Sequence, residues 1–336
     1  MRSPCSSNGR ASFWTRHFPE LPYSIALPRR PRRQPVRHTM PPLYGPDVRE
    51  KLRERLLTLY RQAFGGVAAH EQHLQQMAID GADESRSVEQ LERLQQMTGQ
   101  TLAGAKMLEV GAGTGLTVAI ARRFMDVEAY GIEPGEAEYD GTLAVAKDVL
   151  RNAGLDPEFI RHGFGEAIPF PDETFDIVFS TNVLEHVADP AQVVSEIVRV
   201  LKPGGSAQII VPNYGSWWEG HYGLPWFPHM PAWLGKIYVR LFGRDAQFID
   251  TLQLVSRGKL ERWLRPHSDR VEVLDWGVAL WEQRVRSLNF SEYSALARLK
   301  GILRAMHTLG VIPLLVWLGK ALHWETPLVL TFRKRA

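Results

Sequence analysis

Gly111, Gly113 and Gly115 sit inside "MLEVGAGTGL", residues 107–116, where an apolar run meets the start of a helical pattern. A glycine turn placed there lets the backbone bend tightly and approach a ligand, whose polar end meets the open amides at the helix start. A dinucleotide fingerprint requires glycine at the sixth position of G-x-G-x-x-G; Leu116 stands there, which weighs against NAD. A second unusual stretch is "WWEGHYGLPWFPHMP", residues 217–231, with Trp217, Trp218 and Trp226 beside Tyr222, Phe227, His221, His229 and three prolines. It is too broken by proline for a helix. It is either the wall of a binding site, the favoured reading, or a hydrophobic brace, and Glu219, His221, Tyr222 and His229 supply its polar contacts.

The elements that must position these residues follow from periodicity. "AKMLEV", "VEAYGI", "FDIVFS" and "SAQIIVP" read as buried parallel strands, with a weaker candidate at "EFIRHG", and helical patterns at 115–125, 136–152 and 190–201 lie between them. Alternation at this spacing predicts an α/β fold, a doubly wound, mostly parallel sheet. Ahead of it, "DVREKLRERLLTLYRQAF" spaces Val48, Leu52, Leu56, Leu59, Tyr60 and Phe64 as one helical face. Ser87 and Gln90 have capping-box spacing for a second helix. The aromatic stretch follows the fifth strand at its C-terminal end, the edge where ligands bind in open α/β sheets.

The turn resembles the E-x-G-x-G-x-G first motif of class I S-adenosylmethionine-dependent methyltransferases. Glu133, in "GIEP", stands about 20 residues beyond the glycine turn, where an acid can accept from both ribose hydroxyls. "IPFPDETFDIVFSTNVLEHVADP", residues 168–190, resembles the family's segment around the fourth strand, and "VLKPGG", residues 200–205, its turn into the fifth. "RVEVLDWGVAL" and "PLVLTFRKR" resemble the closing antiparallel strands.

The resemblance implies a seven-stranded Rossmann-like sheet with S-adenosylmethionine as cofactor. It implies that Glu109 and the turn Gly111, Ala112, Gly113, Thr114 and Gly115 hold the methionine portion and Glu133 the ribose. Relatives often carry an aspartate ahead of "A-E-x-L-P-F" for the adenine amine; here Phe164 stands there, leaving the base to Phe164, Gly165, Glu166 and Ala167, with Asn182 also on the cofactor side. For an oxygen acceptor a general base helps, and His221, Glu219 and His186 are the candidates, His186 favoured for a structural or cofactor-side role. The expected function is O-methylation of a small-molecule, sugar or lipid-linked acceptor. A nucleic-acid methyltransferase is the alternative within enzymes, disfavoured because "STNVLEH" replaces the [DN]-P-P-Y motif; a non-catalytic scaffold is the alternative outside them.

Charge and cysteine content narrow the class. The formal net charge is +3, but residues 1–39 hold eight arginines against Glu20, leaving −4 for the rest. The expectation for 1–45 is a solvated basic leader, or an extension ahead of a start at Met40, with targeting, nucleic-acid or membrane binding as rival readings. Cys5 is the only cysteine, which excludes a disulfide scaffold and a cysteine metal cluster and suits a reducing, cytoplasmic setting. No metal is expected, since His221 and His229 lack a ligand set. The segment 299–324 is apolar but short and broken by Pro313, so it reads as packing against protein, with peripheral membrane contact second. The expected divisions are 46–100 as a helical cover, 101–213 as the cofactor-binding core, 214–269 as an aromatic cap, and 270–336 as closing strands with a helical insertion.

Overall fold

The computed structural model describes residues 40–67, 71–135, 141–287, 301 and 305–336. The leader expected over 1–39 lies outside the described residues, as do the start of the 136–152 helix and part of 299–324.

Strands β1 (Lys106–Val110), β2 (Glu128–Glu133), β3 (Ile160–His162), β4 (Phe175–Thr181) and β5 (Leu201–Val211) are parallel. With β8 (Val271–Asp275) and β9 (Leu328–Lys334) they form a seven-stranded sheet in the order β3-β2-β1-β4-β5-β9-β8. Strand β9 runs antiparallel between β5 and β8, so the closing pair is as expected. Met107, Leu108, Val110, Ile177, Val178 and Phe179 are almost fully buried, because helices cover both sheet faces and each strand is apolar on both sides. The strand order reverses between β1 and β4, which opens a crevice at their C-terminal ends.

Helices α4 (Leu116–Phe124), α5 (Thr142–Asn152) and α6 (Pro190–Val200) are the crossovers. Helix α6 starts where it does because Pro190 occupies the first turn and the Asp189 side chain accepts from Gln192 N at 3.1 Å.

Three helices precede the sheet where two were expected: α1 (Pro46–Phe64), α2 (Glu71–Gly81) and α3 (Glu84–Thr98). The capping box at Ser87 is corrected. Asp83 caps α3, its carboxylate accepting from Ser85 N at 3.0 Å, and Ser87 is buried one turn inside the helix.

The segment after β5 contains a short hairpin, β6 (Trp218–Glu219) with β7 (Leu224–Pro225), then α7 (Ala232–Leu241) and α8 (Arg257–Leu264). Its buried residues divide. Tyr214, Tyr222, Trp226, Met230, Val239, Phe248 and Ile249 form a second core with Phe64, Val67 and Leu74 of the N-terminal helices. Val255, Leu260 and Leu264 instead join the sheet's core, so the cap ends near residue 254 and α8 belongs to the main body. Helices α9 (Val278–Ser287) and α10 (Ile312–Ala321) pair through Trp281, Val285, Ile312 and Val316. Among the described residues no helix is long and apolar enough to cross a membrane.

Candidate functional site

A cavity of about 1050 Å³ occupies the crevice at the β1/β4 switch point, roofed by α1, α2 and the cap. Its floor is the glycine turn. Gly111 has φ +75°, and a Cβ there would stand 2.3 Å from Val183 Cγ2, so only glycine lets the β1 turn pass the β4 loop. Around Gly113 no atom lies within 4 Å of the position a Cβ would take, which leaves the backbone open to a ligand. Gly115 does not line the cavity. At φ +75° it begins α4, and its missing Cβ makes room for Ile160 and Ala146, so its role is helix–strand packing.

Two carboxylates face this floor. Glu133, at the end of β2, accepts from Gly113 N and from the Thr142 hydroxyl, each at 2.8 Å. The Gly135 backbone amide also donates to this carboxylate, and a carboxylate with about four acceptor directions keeps room for a ligand hydroxyl. Glu109 is buried, and its Oε2 has no hydrogen-bond partner. Burial pushes its carboxyl up to about 8, against the Thr117 hydroxyl, which lowers it, while Glu133 adds to the rise. An orphaned buried carboxyl beside an open backbone cradle fits a ligand with a cationic end, and S-adenosylmethionine has one in its ammonium group.

Phe164, Gly165, Glu166 and Asn182 also line the cavity. Phe164 is half exposed and meets His162 edge to face, with centroids 5.4 Å apart. Glu166 is committed elsewhere: one carboxylate oxygen accepts from Ala188 N at 2.9 Å and Asp189 N at 3.3 Å, bracing the loop before α6. Ala167 is exposed and does not line the cavity; its N–H donates to Phe164 O at 3.2 Å, holding the turn. Both residues thus make bracing contacts, while Glu166, whose loop contacts use one carboxylate oxygen, also lines the cavity. Asn182 adopts φ +54°, a conformation asparagine tolerates, at the end of β4.

The opposite wall carries the proton-transfer candidates. His221 lines the cavity and its Nδ1 lies 2.7 Å from Glu219 Oε1. Glu219 is fully buried behind it and also accepts from the Tyr214 hydroxyl at 3.0 Å and from Tyr222 N at 2.6 Å. Burial alone would raise the Glu219 carboxyl, but the His221 imidazole and these donors outweigh it and hold the group below its ordinary range. That carboxylate fixes the tautomer and orientation of the ring. His186 also lines the cavity, edge to face with His221 at 5.2 Å, but burial and the neighbouring His221 push it down to about 3. It is a neutral ring at physiological pH and unsuited as the base.

The aromatic stretch therefore serves both uses weighed for it. Trp218, Gly220 and His221 line the cavity, Tyr222 and Trp226 brace the cap, and Trp217, Phe227 and His229 are exposed. His229 takes no part in the site. Ligand-capable atoms of Glu185, His186 and His221 come within 4.8 Å of one another, a grouping that could hold a metal ion and that the expectation of no metal did not foresee.

Sequence reasoning also missed His73, on α2, which lines the cavity and is lowered chiefly by burial, with Asp80 and Glu219 opposing. Gln90 and Arg93 of α3 and Arg284 of α9 line it as well. No motif flags them as site residues, Gln90 having been read only as part of a capping box, because they reach the site through tertiary packing.

Residues 108–209 match the sequence family described as "Methyltransferase domain". An uncharacterised methyltransferase of Mycolicibacterium vanbaalenii is 38% identical over 120 residues, 36% of this chain and 43% of that one. A ubiquinone/menaquinone biosynthesis C-methyltransferase, UbiE, of Xanthomonas oryzae pv. oryzae is 34% identical over 153 residues, 44% of this chain and 57% of that one. The chain thus spans about half the length of the curated relatives it matches. A solved Haemonchus contortus phospholethanolamine N-methyltransferase superposes with a TM-score of 0.45 at 19% identity, over 83% of this chain and 57% of that one. By the sheet order, the glycine turn and the matched segment, residues 108–209 form a methyltransferase domain with the fold of the class I S-adenosylmethionine-dependent enzymes.

Proposed function

We propose that the chain methylates an oxygen of a small-molecule, sugar or lipid-linked acceptor held between the glycine turn and the cap, with His221 as general base. When bound, S-adenosylmethionine supplies an electrophilic methyl group on a sulfonium. Glu109 and the Gly111–Gly113 backbone would hold its methionine end, and Glu133 its ribose. The observation that carries the oxygen reading is the buried Tyr214–Glu219–His221 chain, with Glu219 Oε1 at 2.7 Å from His221 Nδ1. Nδ1 donates to Glu219, so Nε2 is the nitrogen that receives the acceptor's hydroxyl proton. The ionised carboxylate stabilises the imidazolium that results. The aromatic cap excludes water from this exchange and offers flat apolar faces to the acceptor.

A second reading is supported by the likeness to a quinone-pathway C-methyltransferase over 153 residues. Deprotonating a hydroxylated ring places negative charge on its ortho carbon as well as on oxygen, so the same histidine would serve a ring-carbon acceptor.

The test is turnover of hydroxylated acceptors with a labelled methyl donor by the parent and by His221→Asn. Cofactor affinity should stay within about threefold, while turnover falls by roughly 10²–10⁴. Full activity in the variant refutes His221 as base. Acid-stable label on a ring carbon in the product selects the second reading.

A further inference from the structure

Two short helices present apolar faces to solvent. On α7, Trp233, Ile237 and Leu241 form one row at four-residue spacing, and Leu234 and Tyr238, with Phe242 at the C-cap, the adjacent row. Trp233 is 65% exposed, Leu241 79% and Phe242 51%, while Gly235 and Val239 on the opposite side are buried in the cap. Helix α10 repeats the arrangement: Leu314 and Trp317, with Leu322 at its C-cap, are at least half exposed, and Ile312, Val316 and Gly319 face inward against Trp281.

A path of ring contacts joins the two. Phe242 meets Tyr238 at 5.1 Å, Tyr238 meets Phe227 at 6.2 Å, Phe227 meets Trp217 at 6.3 Å, and Trp217 meets Trp324 at 5.4 Å. Trp324 packs against the α9–α10 pair. The apolar surface therefore continues from the end of α7 to the foot of α10. Patches of this extent are rare on monomeric proteins that stay in bulk water.

Charge identifies the occupant. Neither helix contains an acid; their charged residues are Lys236 and Arg240 on α7 and Lys320 on α10. Lys236 pairs with Asp250 and Lys320 with Glu282, and both have long flexible stems. Apolar faces with tryptophan, on helices that carry cations and no acid of their own, with Arg240 exposed beside the paired Lys236 and Lys320, match the headgroup zone of an anionic bilayer, where such helices lie in the plane of the interface. At ten residues each, they are too short to do otherwise.

We propose that the face formed by α7, α10, Trp217 and Phe227 docks on an anionic lipid surface. This sets the cavity at the interface, since Trp218, next to Trp217, and Asp250, the partner of Lys236, both line it. An acceptor carried on a lipid would then reach the site without leaving the bilayer; that clause rests on the proposed function, whereas the docking itself does not.

The experiment is co-sedimentation of the full chain with phosphatidylcholine vesicles, with and without phosphatidylglycerol. The comparison protein is a variant carrying Trp233→Ser, Ile237→Ser, Leu241→Ser and Trp317→Ser, all at exposed positions. The parent should bind the phosphatidylglycerol vesicles at least tenfold better than the neutral ones and less in high salt, and the variant at least tenfold worse than the parent. The arginines of residues 1–39 are common to both proteins, so the difference reports the helix faces. Calorimetric titration of the variant with S-adenosylmethionine should match the parent, showing that it is folded. Equal vesicle binding by parent and variant overturns the proposal. So does a parent that ignores vesicles, and light scattering showing that it is a dimer the substitutions make monomeric would assign the face to a second copy. Because vesicle binding is read without acceptor, its loss is separable from failure of the methyl-transfer reading.

Discussion

Glu219 Oε1 lies 2.7 Å from His221 Nδ1, and the carboxylate is wholly buried behind a ring that faces the cavity. The pair is held by the hairpin β6–β7 and by Tyr214 and Tyr222, so its geometry depends on the cap rather than on the sheet. Replacing Glu219 with Gln keeps the shape but removes the charge that steadies a protonated ring. Turnover should fall by roughly 10²-fold or more, with S-adenosylmethionine affinity unchanged. Steady-state rates together with a calorimetric titration check this, and an equal loss in both would place Glu219 in cofactor binding.

Glu109 predicts a pH dependence. Its carboxyl is raised from 4.5 to about 8 by burial, so it is mostly protonated at neutral pH without cofactor, while a cationic ligand end requires it ionised. Affinity for S-adenosylmethionine should therefore strengthen as pH rises from 6 to 7.5, by up to about tenfold per unit. Glu109→Gln should bind more weakly and with a flatter profile.

The same shift acts on folding stability. The unfolded chain ionises Glu109 above its ordinary value of 4.5, whereas the folded chain keeps the proton until about 8. Its stabilising contribution is full below the unfolded value and declines as pH rises through the folded one. Cofactor-free melting temperature should thus fall from pH 5 to pH 8.5 more in the parent than in Glu109→Gln. Identical slopes would mean the carboxyl is ionised throughout.

Gly111→Ala forces a side chain into φ +75° and against Val183 Cγ2. A cost of about 1–3 kcal/mol is expected, along with weakened cofactor binding. Adding Val183→Ala should recover the steric part and leave the backbone part, which thermal denaturation of the three variants resolves.

Trp226 is 1% exposed and packs beneath Gly235 in the cap's own core. Trp226→Ala should cost about 3–5 kcal/mol and loosen His221. Acceptor KM should then suffer more than cofactor Kd.

The sheet and glycine turn were legible because β1, β2, β4 and β5 are apolar on both sides and because the bend at Gly111 excludes other residues. Helix α2 was not, since "EQHLQQMAIDG" has few apolar residues, and Leu74 finds its partners only in the distant cap. His73 was lost with it. The Ser87 spacing misled because Asp83, four residues earlier, made the capping contact first. Glu166 looked available to a ligand, but two loop amides claim its carboxylate, a contact that sequence distance conceals.

The cap's core includes Phe64, and the rings of Phe64 and Phe248 meet edge on at 5.7 Å. Pieces from residues 46–81 and 214–254 thus fold as one roof although the sheet's first five strands separate them in the chain. A chimera that moved the aromatic stretch alone onto a relative's sheet would arrive with half its interior missing. A working transfer of the cap to another sheet requires the helices before the first strand to travel with the segment after the fifth.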